Sequence, residues 1–310
     1  MKYPDRLITL IAVGIATASA LPLLANLWWA FDLFSHFRVQ YLVLSAVILL
    51  LLASRRRWRA SLAFLPFVAI STVPVYSNWP SAEPPGSASE QLSIMNINVN
   101  SANTDFDALI ELIMQEPPDL VFLLEITTAW QNAIAPLAET YPYRIEMPRS
   151  GRFGIALLSR IPIIDPESAD LLGTPAISAR IKHAGQSLRL LGVHLQPPVN
   201  RDWSTARNQQ LAEIGKLLDD RTEPVMIVGD FNITTYSPIF SAWLAANGLR
   251  STAQAAGPTI SWPTFLPLLG ILIDHYAFSG DIRIHTFRRG SAFGSDHYPL
   301  TATFSLRGTQ

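Results

Sequence analysis

The sequence predicts an α/β (α+β) domain, with sheets packed face to face and helices outside, preceded by a membrane region of about three transmembrane helices. Three observations predict it. Strand-like and helix-like segments interleave from about residue 92 onward. Hairpin-like runs lie between them. Apolar residues crowd the front of a chain that is 49% hydrophobic and only 15% charged over 310 residues.

The front divides into three apolar stretches. Leu7 to Phe31 gives 25 uncharged residues, Val39 to Ser54 gives 16, and Ala60 to Ala82 is uncharged and apolar as far as Tyr76. A spanning helix needs about 20 residues. The second stretch is short, but Gln40 and Tyr41 suit the interface and the flanking arginines can snorkel. Arg55, Arg56, Arg57 and Arg59 form the densest cationic cluster, which belongs on the cytoplasmic side, and Lys2 and Arg6 agree with an inside N-terminus. The turn Asp32 to Arg38 is then outside, and the third span delivers the rest of the chain to the non-cytoplasmic face. The alternative is a cleaved signal peptide ending near "ATASA", 16–20, but the apolar run continues past it. The expected organisation is a membrane region over 1–76, a Pro/Ser/Ala-rich linker over 77–91 and a domain over 92–310.

Within the domain, "LSIMNINVN" alternates as a strand does, and "DFDALIELIMQ" has helical spacing and ends at Pro117. "LVFLLE", "FGIALLSR", "AISARIKH" and "SLRLLGVHL" read as strands. "ARNQQLAEIGKLLDD" is an amphipathic helix, "PVMIVGDFN" a strand, "SPIFSAWLAANG" a helix ending at Gly248, and "LIDHYAFSG" and "TATFSL" late strands.

Composition narrows the chemistry. With no cysteine there is no disulfide framework, thiolate nucleophile or cysteine zinc site. Residues 92–310 hold 16 Lys and Arg against 20 Asp and Glu. That net −4 argues against a protein gripping duplex DNA through its phosphates.

Polar residues gather at strand ends: Asn98 and Asn100, Glu125, His194, Asp230 and Asn232, and Asp274 with His275. Asp296 and His297 follow a glycine-rich turn. Singly, a strand-end Asn or Asp is usually a turn former or cap, and a lone His is more often a hydrogen-bonded core residue than a catalyst. Together, on strands lying side by side, they converge on one rim. Glu125 and Asp296, with the amide oxygen of Asn98, supply hard oxygen ligands suited to Mg²⁺ or Mn²⁺. The histidines and remaining carboxylates supply acid–base groups. Hydrolysis of a phosphate ester needs both sets.

"NINVN", "PDLVFLLE", "GVHL", "GDFN", "IDHYAFSG" and "GSDHYPL" occur in an order that resembles the endonuclease/exonuclease/phosphatase superfamily. The resemblance covers nearly all of residues 92–308. It implies a four-layer DNase I-like sandwich of two mixed β-sheets flanked by helices. It also implies Asn98, Glu125 and Asp296 at the metal, and Asp230 as the base or water-orienting carboxylate. Asn232 would hold a phosphoryl oxygen, His297 would stabilise the transition state under orientation by Asp274, and His194 would be a second histidine. Spans followed by this domain resemble a bacterial membrane-anchored subgroup, which implies an inner-membrane location. Departures exist: Asn100 stands where some nucleases of the family place Asp. "PRSGRFGIALLSR" lacks the Glu that supports the histidine of the DNase branch, and the tyrosine–asparagine motif of abasic-site endonucleases is absent.

Arg207 suits either a phosphate contact or an ion pair on a helix face, and Arg160 a structural pairing. "SWPTFLPLLGILID" is unusually apolar, so Trp262, Phe265 and Leu266 suit a loop that dips into lipid or holds an apolar substrate tail. The expected activity is that of a membrane-anchored, divalent-metal-dependent phosphoesterase. Its substrate would be a phosphodiester or phosphomonoester among lipids, nucleotides and nucleic acids. A nuclease is the alternative within that class, and a non-catalytic membrane receptor the alternative outside it. The intact set Glu125, Asp230, Asn232, Asp296 and His297 argues against the receptor.

Overall fold

A computed structural model describes residues 3–78, 91–219, 221–257 and 259–307. Most of the expected linker, 79–90, lies outside these residues. The front of the chain forms α1 (Tyr3–Ala20), α2 (Trp29–Leu33), α3 (Arg38–Ser54) and α4 (Trp58–Ser77). Short 3₁₀ turns extend α1 to Leu24 and join α2 to α3. Three helical stretches are long and apolar enough to cross a membrane: Asp5–Leu24, Trp29–Ser54 and Trp58–Ser77. The second reaches 26 residues because α2 and its 3₁₀ turn run on into α3. Ile8, Ile15, Ile48, Leu52 and Phe64 pack these helices together, while Leu10, Leu50 and Leu62 face outward.

The rest runs β1 (Leu92–Asn98), α5 (Phe106–Gln115), β2 (Leu120–Leu124), α6 (Thr128–Ala133), β3 (Tyr143–Met147) and β4 (Ile155–Ser159). Then come β5 (Ile163–Leu171), β6 (Thr174–His183), β7 (Gln186–His194), α7 (Arg201–Leu217), β8 (Val225–Asp230) and α8 (Pro238–Ala246). The last elements are β9 (Leu249–Ser251), α9 (Ala253–Ala256), β10 (Asp274–Ser279), β11 (Ile282–Arg289) and β12 (Leu300–Leu306). Helix α7 starts five residues ahead of "ARNQQ" because the Asn200 side chain caps it, accepting from the Trp203 amide at 2.9 Å.

The strands form two six-stranded sheets, β11-β12-β1-β2-β4-β3 and β5-β6-β7-β8-β10-β9. Both are mixed: β1 runs parallel to β2 and β7 to β8, and the other pairings are antiparallel. Strand periodicity assigns the faces. Ile94, Phe122, Leu190, Met226, Val228 and Tyr276 point into the layer between the sheets. Ile97, Val121 and Leu123 point the other way, against Leu109 and Ile113 of α5 and Trp130 of α6. Val225 and Ile227 meet Leu211 and Ile214 of α7 and Phe240 and Leu244 of α8. The result is four layers, helix–sheet–sheet–helix. Full burial of each large side chain contributes about 1.5–3 kcal/mol. The Phe122 ring closes over Gly192, where an added Cβ would lie 2.3 Å from it.

Candidate active site

The site is the polar end of the layer between the sheets. Each central strand carries its inward parity past the apolar core into a polar side chain. On β1, Ile94 is followed inward by Asn96 and Asn98; on β7, Leu188 and Leu190 lead to His194; on β8, Met226 and Val228 lead to Asp230. On β10, which runs the other way, Phe278 and Tyr276 lead to Asp274. The registers align these ends, since His194 pairs with Asp230 across the parallel ladder and Asp274 with Asp230 across the antiparallel one.

The expected residues therefore come together. The Asn98 Nδ2 donates to Glu125 Oε1 at 3.2 Å and to Asp230 Oδ2 at 3.4 Å. The same Asp230 oxygen lies 3.5 Å from His194 Nε2 and 3.8 Å from His297 Nε2. His297 Nδ1 meets Asp274 Oδ2 at 2.8 Å. Asp296 accepts from Asn100 Nδ2 at 2.8 Å and from Trp262 Nε1 at 3.1 Å. Asn232 takes its place through its backbone amide, which donates to Asp230 Oδ1 at 2.8 Å, and its Nδ2, which donates to the Leu195 carbonyl at 2.9 Å. Glu125, His194, Asp230, Asn232, Asp296 and His297 line one cavity of about 460 Å³.

Asn98 touches both carboxylates. Its Oδ1 accepts from the Asn100 amide at 3.0 Å, so its nitrogen, not its oxygen, faces the carboxylates. It holds Glu125 and Asp230 to one another. Asn100, Glu125 and Asn232 all have positive φ, at 58°, 63° and 52°. Asparagine tolerates that region, but glutamate there costs on the order of 1 kcal/mol. The Ser101 amide and hydroxyl hold Glu125 Oε2 at 3.0 and 3.1 Å, so the strained backbone aims a fixed carboxylate into the cavity.

The electrostatics follow from burial. Burial, and then the facing Asp274, push the Asp230 carboxyl well above the usual carboxylate range, despite the nearby His297. Burial would also drag the His297 imidazolium down, but Asp274 and Asp230 prevail and raise it to about 9. Asp274 is pushed up by burial and pulled further down by the charge and hydrogen bond of His297, ending below its ordinary value. Burial lowers His194 to about 4, so at neutral pH its imidazole is uncharged.

The donor set fits a hard divalent cation. Among the described residues no lysine or arginine pairs with buried Asp230 and Asp274 or with half-buried Glu125 and Asp296, so these oxygens lack a fixed cation other than imidazolium. Ligand atoms of Asp230, Asp274 and His297 lie within 4.8 Å of one another and could hold a metal. The short Asp274–His297 hydrogen bond already uses one oxygen of that group, which leaves Glu125 and Asp230, tied through Asn98, as the freer carboxylate pair.

Several contributors escape a reading of the sequence. Asn96 Nδ2 donates to Asp274 Oδ1 at 3.2 Å; its parity with Asn98 was a usable signal. Ser295 Oγ donates to the Asn98 carbonyl at 2.7 Å and accepts from the His297 amide at 3.1 Å. Leu33, His36 and Phe37, between the first two apolar stretches, wall the cavity, and no sequence signal ties them to it. Arg207 makes no phosphate-facing contact. It is fully buried, and its Nη2 donates to Asp32 at 3.2 Å while Nη1 donates to the Asn232 carbonyl at 3.3 Å. Arg160 lies 4.0 Å from Asp119 and donates to the Pro117 carbonyl. Phe265 and Leu266 are exposed, as are Leu268 and Leu269 beside them.

Comparison with known proteins agrees with this architecture. A humanized D. rerio TDP2 superimposes with a TM-score of 0.59 at 19% identity, over 70% of this chain and 99% of its own. The endonuclease/exonuclease/phosphatase from Beutenbergia cavernae gives 0.61 at 19%, over 71% and 72%. The human Nocturnin catalytic domain with bound sulfate gives 0.57 at 17%, over 70% and 94%. No curated protein sequence matches. The Endonuclease/Exonuclease/phosphatase family model matches residues 95–297, a stretch that begins in β1 just before Asn96 and closes on His297. On that match and this fold, the chain belongs to the endonuclease/exonuclease/phosphatase family.

Proposed function

We propose that the chain is a membrane-anchored, divalent-metal-dependent phosphoesterase that hydrolyses a phosphodiester or phosphomonoester by in-line attack of water. The observation that carries the reading is the meeting of Glu125, Asp230 and His297 in one cavity, joined by Asn98 and braced by Asp274. Glu125, with Asp230 or Asp296, would hold Mg²⁺ or Mn²⁺, which neutralises charge developing on the phosphoryl oxygens. Asp230, its proton affinity raised by burial, orients the water and takes its proton as the new oxygen–phosphorus bond forms. The bond from phosphorus to the leaving oxygen breaks on the opposite side. His297, protonated below about pH 9 and held by Asp274, presents Nε2 to a phosphoryl oxygen. The Nδ2 of Asn232 is occupied by the Leu195 carbonyl, so its second proton is the one available to a phosphoryl oxygen. His194 adds a neutral imidazole beside Asp230.

Net charge −4 over residues 92–310 favours a substrate other than duplex DNA. A nuclease reading has one specific support: the D. rerio TDP2 complexed with single strand DNA product shares this fold, with a TM-score of 0.58 at 19% identity.

The three apolar helical stretches are read as membrane spans of an inner membrane, with the arginine cluster 55–59 cytoplasmic and the catalytic domain outside. An alkaline phosphatase fusion after Gln91 tests this and should be active; an inactive fusion reverses the sidedness. For the chemistry, the full-length protein in detergent should hydrolyse bis-p-nitrophenyl phosphate with Mg²⁺ or Mn²⁺ and stop with EDTA. An undiminished rate in a double variant, Asp230→Ala with His297→Ala, would refute the assignment. Single-stranded and duplex DNA in the same assay decide the nuclease reading.

A further inference from the structure

The segment from Asp32 to Gln40, at the start of the second helical stretch, is fastened to the catalytic domain. Asp32 is buried, takes a hydrogen bond from Ser237 Oγ at 2.6 Å and pairs with Arg207. His36 Nδ1 meets Thr234 Oγ1 at 3.1 Å, and Gln40 Nε2 donates to the Gly270 carbonyl at 2.9 Å. The segment thereby becomes one wall of the catalytic cavity. Behind His36 lies a second cavity of about 500 Å³, between Val43 and Leu44 of α3 and Leu268 and Leu269 of the apolar loop. His36 and Ile271 border both cavities. His36 Nε2 is buried with no hydrogen-bond partner among the described residues, so the partition between the two spaces carries an unused polar atom.

We propose that the substrate is an amphiphilic phosphoester whose phosphate lies in the catalytic cavity beside His297 and whose hydrocarbon chain passes His36 and Ile271 into the cavity against α3. This rests on the phosphoesterase and membrane readings above. A water-soluble phosphoester has no use for a second, mostly apolar cavity sharing a wall with the reactive carboxylates. A hydrocarbon chain does, because each apolar surface it covers there leaves water. The cavity also borders the hydrocarbon phase under the membrane reading: Val43 is 60% exposed and Leu268 87% exposed on helix and loop surfaces that would meet lipid. A lipid could enter sideways from the outer leaflet, chain first along α3.

The test uses the full-length protein in nanodiscs, with methylphosphonate and dodecylphosphonate as binding probes and methyl and dodecyl p-nitrophenyl phosphate as substrates. Wild type is compared with Val43→Trp, which fills the second cavity from an exposed position remote from the catalytic groups. Partition of the dodecyl chain into the bilayer is the same for both proteins and cancels. Val43→Trp should leave the methyl compounds unchanged and weaken the dodecyl compounds by tenfold or more, since each methylene displaced costs about fourfold. Leu269→Trp, from the opposite wall, should do the same, and decides the matter if Val43→Trp fails to fold. Dodecyl probes that bind both variants as they bind wild type overturn the inference. Hydrolysis of both esters with no variant-dependent chain-length effect overturns it too, and leaves the phosphoesterase standing. Chain-selective binding without hydrolysis supports the chain site and removes the phosphoesterase reading instead.

Discussion

Arg207 donates to Asp32 across 175 positions of the chain, and neither side chain meets solvent. Breaking a buried pair by removing one partner typically costs about 3–5 kcal/mol, because the other charge stays buried. Asp32→Ala and Arg207→Ala should each lower the unfolding midpoint of the full-length protein markedly. Replacing both by apolar residues, Asp32→Leu with Arg207→Met, should cost less than either. Scanning fluorimetry in detergent reads this; a double variant as unstable as the sum of the singles would show that the pair is not acting as one.

Metal-free stability should be greatest near pH 6.5 and fall away on both sides. His194 and His275, lowered by burial to about 4, are neutral in the fold. They oppose folding increasingly as pH falls below the unfolded value of about 6.5. His297, raised to about 9, contributes stability that is complete below about 6.5 and lost as pH rises through 9. Asp274, held low, contributes above its ordinary value and is lost only in stronger acid. Thermal unfolding in EDTA across pH 4 to 10 checks the maximum.

Asp274→Asn should reduce kcat by about 10²- to 10⁴-fold, the usual worth of a positioned acid–base group. It should also move the alkaline limb of the pH–rate profile to lower pH. The imidazolium of His297 loses its 2.8 Å anionic partner, so it gives up its proton sooner. A limb that stays in place would mean that another group sets it.

Mn²⁺ should raise the unfolding midpoint of the wild-type chain, since a ligand bound only by the native state stabilises it. Glu125→Gln should abolish most of that shift while leaving the EDTA midpoint near that of wild type. Asn98→Ala should weaken it less, because Asn98 aligns Glu125 and Asp230 rather than offering an oxygen.

Gly229→Ala should inactivate and destabilise the protein although it adds a single methyl group. Gly229 has φ +149°, and a Cβ there would sit 1.8 Å from the Val193 carbonyl oxygen on the neighbouring strand. Relieving the clash must part β7 from β8 beside the His194–Asp230 pair. Circular dichroism and activity together distinguish loss of the site from loss of the fold.

Every internal strand corresponds to an apolar or alternating run in the sequence, from "LSIMNIN" in β1 to "TATFSL" in β12. The strands that give no such signal, β3, β5, β9 and β11, are the four sheet edges. An edge strand is half-solvated, so "IIDPESADL" and "IRIHTFRR" carry charges where a central strand would carry valine or leucine. The site was legible for the same reason: a central strand has a strict parity, and a polar residue on its inward face must have a partner. Asn98, His194 and Asp230 stand out on that ground; Glu125 ends the apolar run of β2, and His297, in the turn before β12, is legible from the family motif instead. Asp32 and His36 carry neither signal. They lie beyond the reach of local pattern, at the start of the second helical stretch, and only three-dimensional packing places them at the cavity.

The fastening at Arg207 makes the helical front a structural part of the molecule rather than a tether. A fragment beginning near residue 92, the natural choice for crystallisation, would keep a guanidinium inside its helix–sheet layer without a counter-ion and would lack one side of its own cleft. Water would have to invade to solvate that group, so such a fragment should aggregate or bind its substrates indiscriminately. Biochemistry on this molecule belongs on the full-length chain, with both halves present.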